Sequence, residues 1–303
     1  MNINGWIVYN GHLPGTKFAD FAEWLQCAAF KQNIDIKLYK NNELLAYLGN
    51  DNHALLGDQL SLPDFVIFTD KDIYLARQLE SLGIRVFNSS KAIEVSDDKI
   101  ATYQALAEQH LPIPKTIIAP KIFPSTTVID HTFTQHAIKK LGFPMVLKEA
   151  FGSFGEQVYL VHNQEQMLNK IKEIIGKPFL FQEFISSSYG RDIRIHVVGD
   201  TVVASMIRNA SNDFRANVTA GGTMEPYEPS EAEKELAIAA TKVIGADFTG
   251  VDLLFGPNNN SLICEINSNA HIRNIYECTK VNVADYIINY IINTFRKDQR
   301  HLL

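Results

Sequence analysis

Two short segments near the carboxyl end hold the densest chemistry, GVDLLF (250–255) and CEIN (264–267). Glu265 and Asn267 are two residues apart, so on a strand both side chains leave one face. Val251, Leu253, Ile263 and Ile266 around them are apolar, which places Asp252, Glu265 and Asn267 within core-forming strands. A carboxylate there is costly unless it is paired or bound to a metal. Hard oxygen donors without thiolate or imidazole suit Mg²⁺, with Mn²⁺ as a substitute, and Mg²⁺ keeps phosphate oxygens for its remaining positions. A buried Asp–Arg pair is the competing reading. The metal reading demands that the three ligands share a face. Asp252 is therefore expected opposite Glu265 or Asn267, not opposite Cys264, with a tight or bulged turn within 256–260.

Three further segments could handle an anion. In KEAFGSFGEQVYLV (148–161) a strand ends at Lys148 and enters a loop with Gly152, Ser153 and Gly155. Glycines let backbone N–H groups approach a phosphate, and lysine adds a point charge. A flexible turn beside an exposed lysine reads the same way. In LFQEFISSSYGRDIR (180–194) an apolar strand reaching Glu183 and Phe184 could offer main-chain groups to an adenine edge, with Arg191, Asp192 and Arg194 close behind. In MIRNASNDFRANVTAGGT (206–223), Arg208, Arg215 and Asn217 precede Gly221-Gly222. Arginine forks suit phosphate and carboxylate oxygens. The nine histidines show no HxxxH pair, no GxSxG occurs, and Cys27, Cys264 and Cys278 form no CxxC.

Elements must bring these segments together. The first ninety residues alternate strand and helix: GWIVYN (5–10), a helix over 16–32, IDIKLYK (34–40), PDFVIFTD (63–70), a helix over 71–83 and IRVFN (84–88). That rhythm predicts a parallel sheet with helices on both faces. A helix over 96–110 follows, with Ser96 as its cap. Strands are expected at 115–120, 144–150, 157–163 and 179–185, with helices at 134–141 and 164–175 among them. Residues 191–210 read as a hairpin turning at Gly199-Asp200. SEAEKELAIAATKVIG (230–245) is a helix opened by a Ser230/Glu233 capping box. A second hairpin turns at GPNNN (256–260), and a helix closes the chain over about 282–296. The fold class is α/β, becoming α+β in the carboxyl half, with expected units 1–90, 91–180 and 181–303.

The chain has 303 residues, 46% apolar and 20% charged, with net charge −6 and pI about 5.9. This is globular composition, and the acidic balance argues against nucleic acid as a partner. No apolar run reaches the roughly 18 residues a span requires. MNINGWIVYNG has no basic n-region, so the expectation is a cytoplasmic protein without a membrane partner.

The order of these segments resembles the ATP-grasp superfamily: a phosphate lysine with a Gly-rich loop, a hinge strand, an arginine-rich region, then D…ExN. Within it, GRDIRIHVVGD, R-x₆-FRAN, GG and GVDLLF…CEINS are similar to the RimK-type α-L-glutamate ligases, closely over about 85–295 and by topology alone before that. The resemblance implies an ATP-grasp fold with a Rossmann-like N-terminal domain. It makes Lys148 and Lys99 phosphate-binding lysines and Gly152, Ser153 and Gly155 the loop over the phosphates. It makes Glu183 and Phe184 the adenine hinge, and Asp192, Arg215 and Asn217 nucleotide contacts. Asp252, Glu265 and Asn267 become Mg²⁺ ligands, and Arg208 faces the reacting acyl phosphate. The implied activity is an ATP-dependent carboxylate–amine ligation, adding an amino acid such as glutamate to an acceptor. Its partners are ATP, a carboxylate and an amine, and a homo-oligomer is allowed. A nucleotide-binding regulator without ligase activity is the alternative. The family continues N-x-S-P-G after the last ligand, whereas this chain reads Asn267-Ser268-Asn269-Ala270-His271. His271 and Arg273 are therefore expected to act in substrate choice.

Overall fold

The computed structural model describes residues 3–13, 17–49, 53–57, 61–153, 155–216 and 222–301. Asn217 and Gly221 lie outside the described residues. The chain opens with β1 (Asn4–Tyr9), α1 (Lys17–Phe30) and β2 (Asp35–Lys40). The hairpin β3 (Leu45–Leu48) and β4 (His53–Leu56) follows, then β5 (Phe65–Phe68), α2 (Ile73–Ser81) and β6 (Arg85–Phe87). Strands β2, β1, β5 and β6 pair in that order, all parallel, as the alternating rhythm predicts. A parallel sheet needs cover on both faces. Ile7, Ile36, Phe65 and Ile67 pack with Phe21 and Leu25 of α1, while Trp6, Val8, Val66 and Phe68 pack with Leu75 and Leu79 of α2. The β3–β4 hairpin is absent from the sequence reading. All four residues of β3 are exposed, so no buried face imposes an alternation that could be read.

Two helices stand where one is predicted: α3 (Ser90–Asp97) and α4 (Lys99–Glu108). Asp98 is extended between them, and its carboxylate accepts from Ile100 N at 2.8 Å and Ala101 N at 3.3 Å. The cap of α4 is thus Asp98, a stronger anion at the positive helix end than a hydroxyl. Ser96 instead donates to the Ile93 carbonyl and meets Ser268 Oγ at 2.9 Å.

The middle of the chain runs β7 (Thr116–Ile118), α5 (Thr132–Leu141), β8 (Met145–Glu149), β9 (Val158–Val161), α6 (Gln164–Glu173) and β10 (Phe179–Glu183). The sheet order is β7-β10-β8-β9, all antiparallel. Met145, Leu147, Phe179 and Phe181 bury one face against Ala137 of α5 and Met167 and Ile171 of α6. Lys148 and Leu180 pair across β8 and β10 on the opposite face.

The carboxyl half holds β11 (Arg191–Val198), β12 (Thr201–Asn209), β13 (Thr223–Pro226), α7 (Glu231–Val243), β14 (Phe248–Phe255), β15 (Ser261–Asn267), α8 (Arg273–Thr279) and α9 (Val283–His301). The five strands order as β13-β12-β11-β14-β15 and pair antiparallel. Ile193, Ile195, Val251, Leu253, Ile263 and Ile266 cover α7 on one face. The other face is divided. Val198, Ala204, Met206 and Phe248 join α1, α8 and α9 in a shared core, and the remainder carries polar side chains. Among the described residues no helix is long and apolar enough to cross a membrane.

Candidate functional site

The polar part of that face is built by register. Asp192 pairs with Arg208, Arg194 with Asp252, Asp252 with Glu265, and Gly250 with Asn267. Directly paired residues share a face, so six polar side chains from β12, β11, β14 and β15 lie together. Asp252 stands opposite Glu265 and not Cys264, as the shared-face argument requires. The ladder slips after Asp252, where Leu253 pairs with Ile263, so Cys264 is the bulged residue. The turn closes with Gly256 N donating to the Asn260 carbonyl at 2.8 Å.

Two arginines hold the two aspartates. Arg194 donates to both oxygens of Asp252 through Nε and Nη2, the latter at 2.7 Å. Arg208 donates to both oxygens of Asp192, at 2.7 and 2.6 Å, and its Nη2 also lies 2.9 Å from Asp252 Oδ2. Two cations thus balance two anions in a buried network, and removing any one member leaves a buried charge unpaired. Burial alone would raise the Asp252 carboxyl, but Arg194 and Arg208 outweigh it and hold it below the ordinary range. For Asp192, burial and the facing Asp252 prevail over Arg208 and raise its carboxyl. The Asp–Arg pairing named as the competing reading is therefore present, with Asp252 inside it. Nη1 of Arg208 is left without a partner among the described residues.

The lysines approach from the opposite wall. Lys148 Nζ donates to Tyr103 Oη at 3.1 Å and lies 3.7 Å from Cys264 Sγ, while Tyr103 Oη donates to the Cys264 carbonyl at 2.5 Å. Tyr103 on α4 thereby ties the β8 lysine to the bulge of β15. Burial alone would lower the Lys148 ammonium, but Cys264, Tyr103 and Glu265 outweigh it and raise it. Burial lowers Lys99, opposed by Glu265. Burial also raises the Cys264 thiol. Lys99 begins α4 and donates Nζ to the Gly152 carbonyl at 3.0 Å. Ser153 Oγ accepts from Lys71 Nζ at 3.1 Å, and Arg215 Nη1 donates to the Gly155 carbonyl. The glycine loop is thus gripped by three cations. Gly155 has φ +75°, and a Cβ there would meet Arg215 Cδ at 3.2 Å, so glycine permits both the turn and the approach.

Glu183 ends β10, and its carboxylate accepts from Lys115 N at 2.8 Å and pairs with Lys115 Nζ at 3.1 Å. Phe184 stands edge-on to Tyr189 and to Phe214, with centroids 6.2 and 6.3 Å away. His271 and Arg273 point elsewhere. Arg273 donates to both oxygens of Asp20 on α1 and lies over the Trp24 ring at 5.4 Å, and His271 stands 6.2 Å from the Phe21 ring. The Arg273 fork expected to read a substrate carboxylate already grips Asp20, because α1 packs beside α8 in the shared core. Tyr103, Lys71, Asp213 and Asn88 join the site's framework without a sequence signal. Their partners are distant in sequence, apart from Asp213, which pairs with Arg215 at 2.6 Å.

The donor set suits a divalent cation. The Glu265 carboxylate makes no hydrogen bond or ion pair among the described residues, and Asn267 Nδ2 is buried without a partner. Turning that amide by half a revolution exchanges nitrogen and oxygen at little change of shape, which aims an oxygen donor into the gap. Glu265 and Asn267 then offer hard oxygen ligands on the face of Asp252, which would turn a remaining lone pair of Oδ1 to the cation while Arg194 and Arg208 hold it.

Comparison with known proteins gives the family. Residues 96–291 match the RimK-like ATP-grasp domain. The chain is 35% identical over 210 residues to a probable alpha-L-glutamate ligase of Haemophilus ducreyi, covering 68% of this chain and 66% of that protein. It is 31% identical over 232 residues to the glutamate–LysW ligase ArgX of Sulfurisphaera tokodaii, covering 74% of this chain and 79% of that one. The fold of the ATP-grasp ligase PsnB, solved with a minimal precursor, Mg and ADP, superposes with a TM-score of 0.70 at 16% identity over 96% of this chain and 98% of that chain. The chain therefore belongs to the RimK-like ATP-grasp family and is an ATP-dependent ligase that forms amide bonds.

Proposed function

We propose that this ligase joins an amino acid such as glutamate to the carboxylate of a peptide, protein or small-molecule acceptor through an acyl phosphate. The observation that carries the reading is the single cleft face on which Arg208, Asp192, Asp252, Glu265 and Asn267 stand opposite Lys148 and Lys99. That arrangement suits a polyphosphate with a divalent cation, and the glutamate ligases among the relatives suit the amino acid.

The reaction needs positioning more than covalent help. A carboxylate oxygen attacks the γ-phosphorus of ATP, the bond to the bridging oxygen breaks, and ADP leaves. The amine nitrogen then attacks the acyl carbon, the carbon–oxygen bond to phosphate breaks, and the nitrogen gives up a proton. Lys148 and Lys99 would bind phosphate oxygens as charge accumulates on them. Arg208, fixed by Asp192 and Asp252, would present Nη1 to the acyl phosphate. Donors locked before the reaction stabilise developing charge without reorganising. Mg²⁺ held by Asp252, Glu265 and Asn267 would supply Lewis acidity to the phosphates. Glu183 and Phe184 would frame the adenine, Asp192, Arg215 and Asn217 would contact the nucleotide, and the 151–157 loop would exclude water from the acyl phosphate.

The test is ADP release across a panel of amino acids and short peptides, with product masses read in parallel. Amine-dependent ADP release and a product heavier than the acceptor by one amino-acid residue support the reading. Nucleotide binding without amine-dependent turnover would make the protein a silent binder. At the turn after the last ligand, His271→Gly and Arg273→Ala should leave ATP binding intact and shift kcat/KM for one substrate about tenfold, ~1.4 kcal/mol. Unchanged kinetics for every substrate would assign both residues to anchoring α1 alone.

A further inference from the structure

The strands that carry the cleft ligands do not end in solvent. Asn88, directly after β6 of the parallel sheet, is fully buried. Its Nδ2 donates to the carbonyls of Phe248 at 2.9 Å and Ser268 at 3.0 Å. Its Oδ1 accepts from the N–H groups of Asp247 at 2.6 Å and Phe248 at 3.1 Å. A primary amide has two donors and two acceptor sites, and all four are used. Two N–H groups demand the oxygen on one side and two carbonyls demand the nitrogen on the other, so the amide has one workable orientation. Every partner is main chain, so the bonds locate the backbone itself. Phe248 begins β14, four residues before Asp252, and Ser268 follows Asn267 directly.

Two more contacts grip the same turn from the same side. Ser96 Oγ meets Ser268 Oγ at 2.9 Å, and Asn269 Nδ2 donates to the Asp70 carbonyl at 2.9 Å. The end of β15 is therefore held from β5, β6 and α3, while Asn267 keeps a buried amide nitrogen without a partner. A side chain with no direct hydrogen bond takes its position from its backbone, and here Asn88 and Ser96 supply that position.

We propose that Asn88, seconded by Ser96, is the positioning residue of the divalent-cation site, setting where Asn267 and Asp252 stand relative to Glu265. The inference rests on the reading of those three residues as the metal ligands. Because the clamp belongs to the N-terminal sheet and the ligands to the carboxyl-terminal one, metal affinity reports on the joint between them.

The experiment is a Mn²⁺ titration followed by electron paramagnetic resonance, with a non-hydrolysable ATP analogue present, on the full chain well below its melting temperature. Asn88→Ala and Asn88→Asp should raise the Kd for Mn²⁺ about tenfold. The aspartate variant should be no better than alanine, since it sets a carboxylate against two carbonyls. Ser96→Ala, which removes one hydroxyl and should fold, should raise the Kd about threefold. Ile7→Val, a core change in the same sheet, should lower the melting temperature and leave Mn²⁺ affinity alone. Asp252→Asn and Glu265→Gln test the metal reading in the same titration. If those two bind Mn²⁺ like the unchanged protein, the ligands lie elsewhere and the clamp's role falls with them. If they lose Mn²⁺ while folded Asn88 variants and Ser96→Ala keep it, the positioning role alone is overturned. Should the Asn88 variants fail to fold, Ser96→Ala decides.

Discussion

Lys148 shows how one residue becomes useful through what surrounds it. Its stem crosses a buried strand face and its ammonium meets Tyr103 Oη and Cys264 Sγ, with Glu265 as the counter-charge. Lys148→Met keeps the stem and removes the charge. It should weaken binding of ATP–Mg²⁺ by ~1.5–3 kcal/mol, the worth of a charge-assisted contact. Isothermal titration checks this, and unchanged affinity would remove Lys148 from the nucleotide site. His196, on the β11 face that carries Asp192 and Arg194, is buried with Nε2 unpartnered. Burial, helped by Arg194, pushes its pKa down to about 3. In the unfolded chain it titrates near ~6.5, so between those values the unfolded state alone binds the proton. Stability is then retained above pH ~6.5 and lost as pH falls toward 3, with a slope of up to ~1.4 kcal/mol per unit. His196→Gln should flatten that slope by one proton in urea melts at pH 5 and 7, a difference of ~2 kcal/mol. Parallel slopes for the two proteins would show that His196 is not the group involved.

At the scale of elements, the hairpin β14–β15 and the turn after it form one unit. Gly250 pairs with Asn267, and a Cβ on Gly250 would stand 2.5 Å from Ala270 Cβ and 3.1 Å from Arg194 Cδ. Gly250 therefore lets the turn fold back over the strand beside the arginine that holds Asp252. Gly250→Ala should destabilise the protein by ~1–3 kcal/mol through overpacking. Adding Ala270→Gly removes the opposing methyl and should recover more than half of that loss. A double-mutant cycle measures the coupling, and additive melting shifts would show that the two positions do not meet. The contact also gives Ala270 a reason to be small: it closes over the strand where a larger ring would need more room. The alanine–histidine departure is in this respect a packing feature of this turn.

Across the whole molecule, elements from the N-terminal sheet, the middle sheet and the carboxyl-terminal sheet converge on one cleft, and the glycine loop is held from several of them. Lys71, Lys99 and Arg215 reach it from the N-terminal sheet, from α4 and from the segment after β12. Lys99 holds only a carbonyl here and would find a phosphate oxygen a stronger partner, while Lys71 and Arg215 also pair with Asp97 and Asp213. Hydrogen exchange at the described loop residues within 151–157 should slow at least severalfold when a non-hydrolysable ATP analogue and Mg²⁺ are added. Exchange that ignores the nucleotide would remove this loop from a covering role.

Much of this protein was already decided by local sequence. Apolar runs of strand length placed the strands apart from β3, β4 and β13, the Ser230/Glu233 box opened α7, and the shared-face reading of Asp252, Glu265 and Asn267 anticipated the register that β14 and β15 adopt. These features depend on neighbours a few residues away, where periodicity and capping act. Contacts between distant segments carried no such signal. Asp98 rather than Ser96 caps α4, because Ser96 is engaged with Ser268. Arg273 answers to Asp20, and Tyr103 joins Lys148 to β15. Asn88 reaches across 160 and 180 residues to the strands of the cleft. A side chain's local pattern states which face it leaves, but its partner is chosen by how the sheets and helices pack, and that choice was made only in the folded chain.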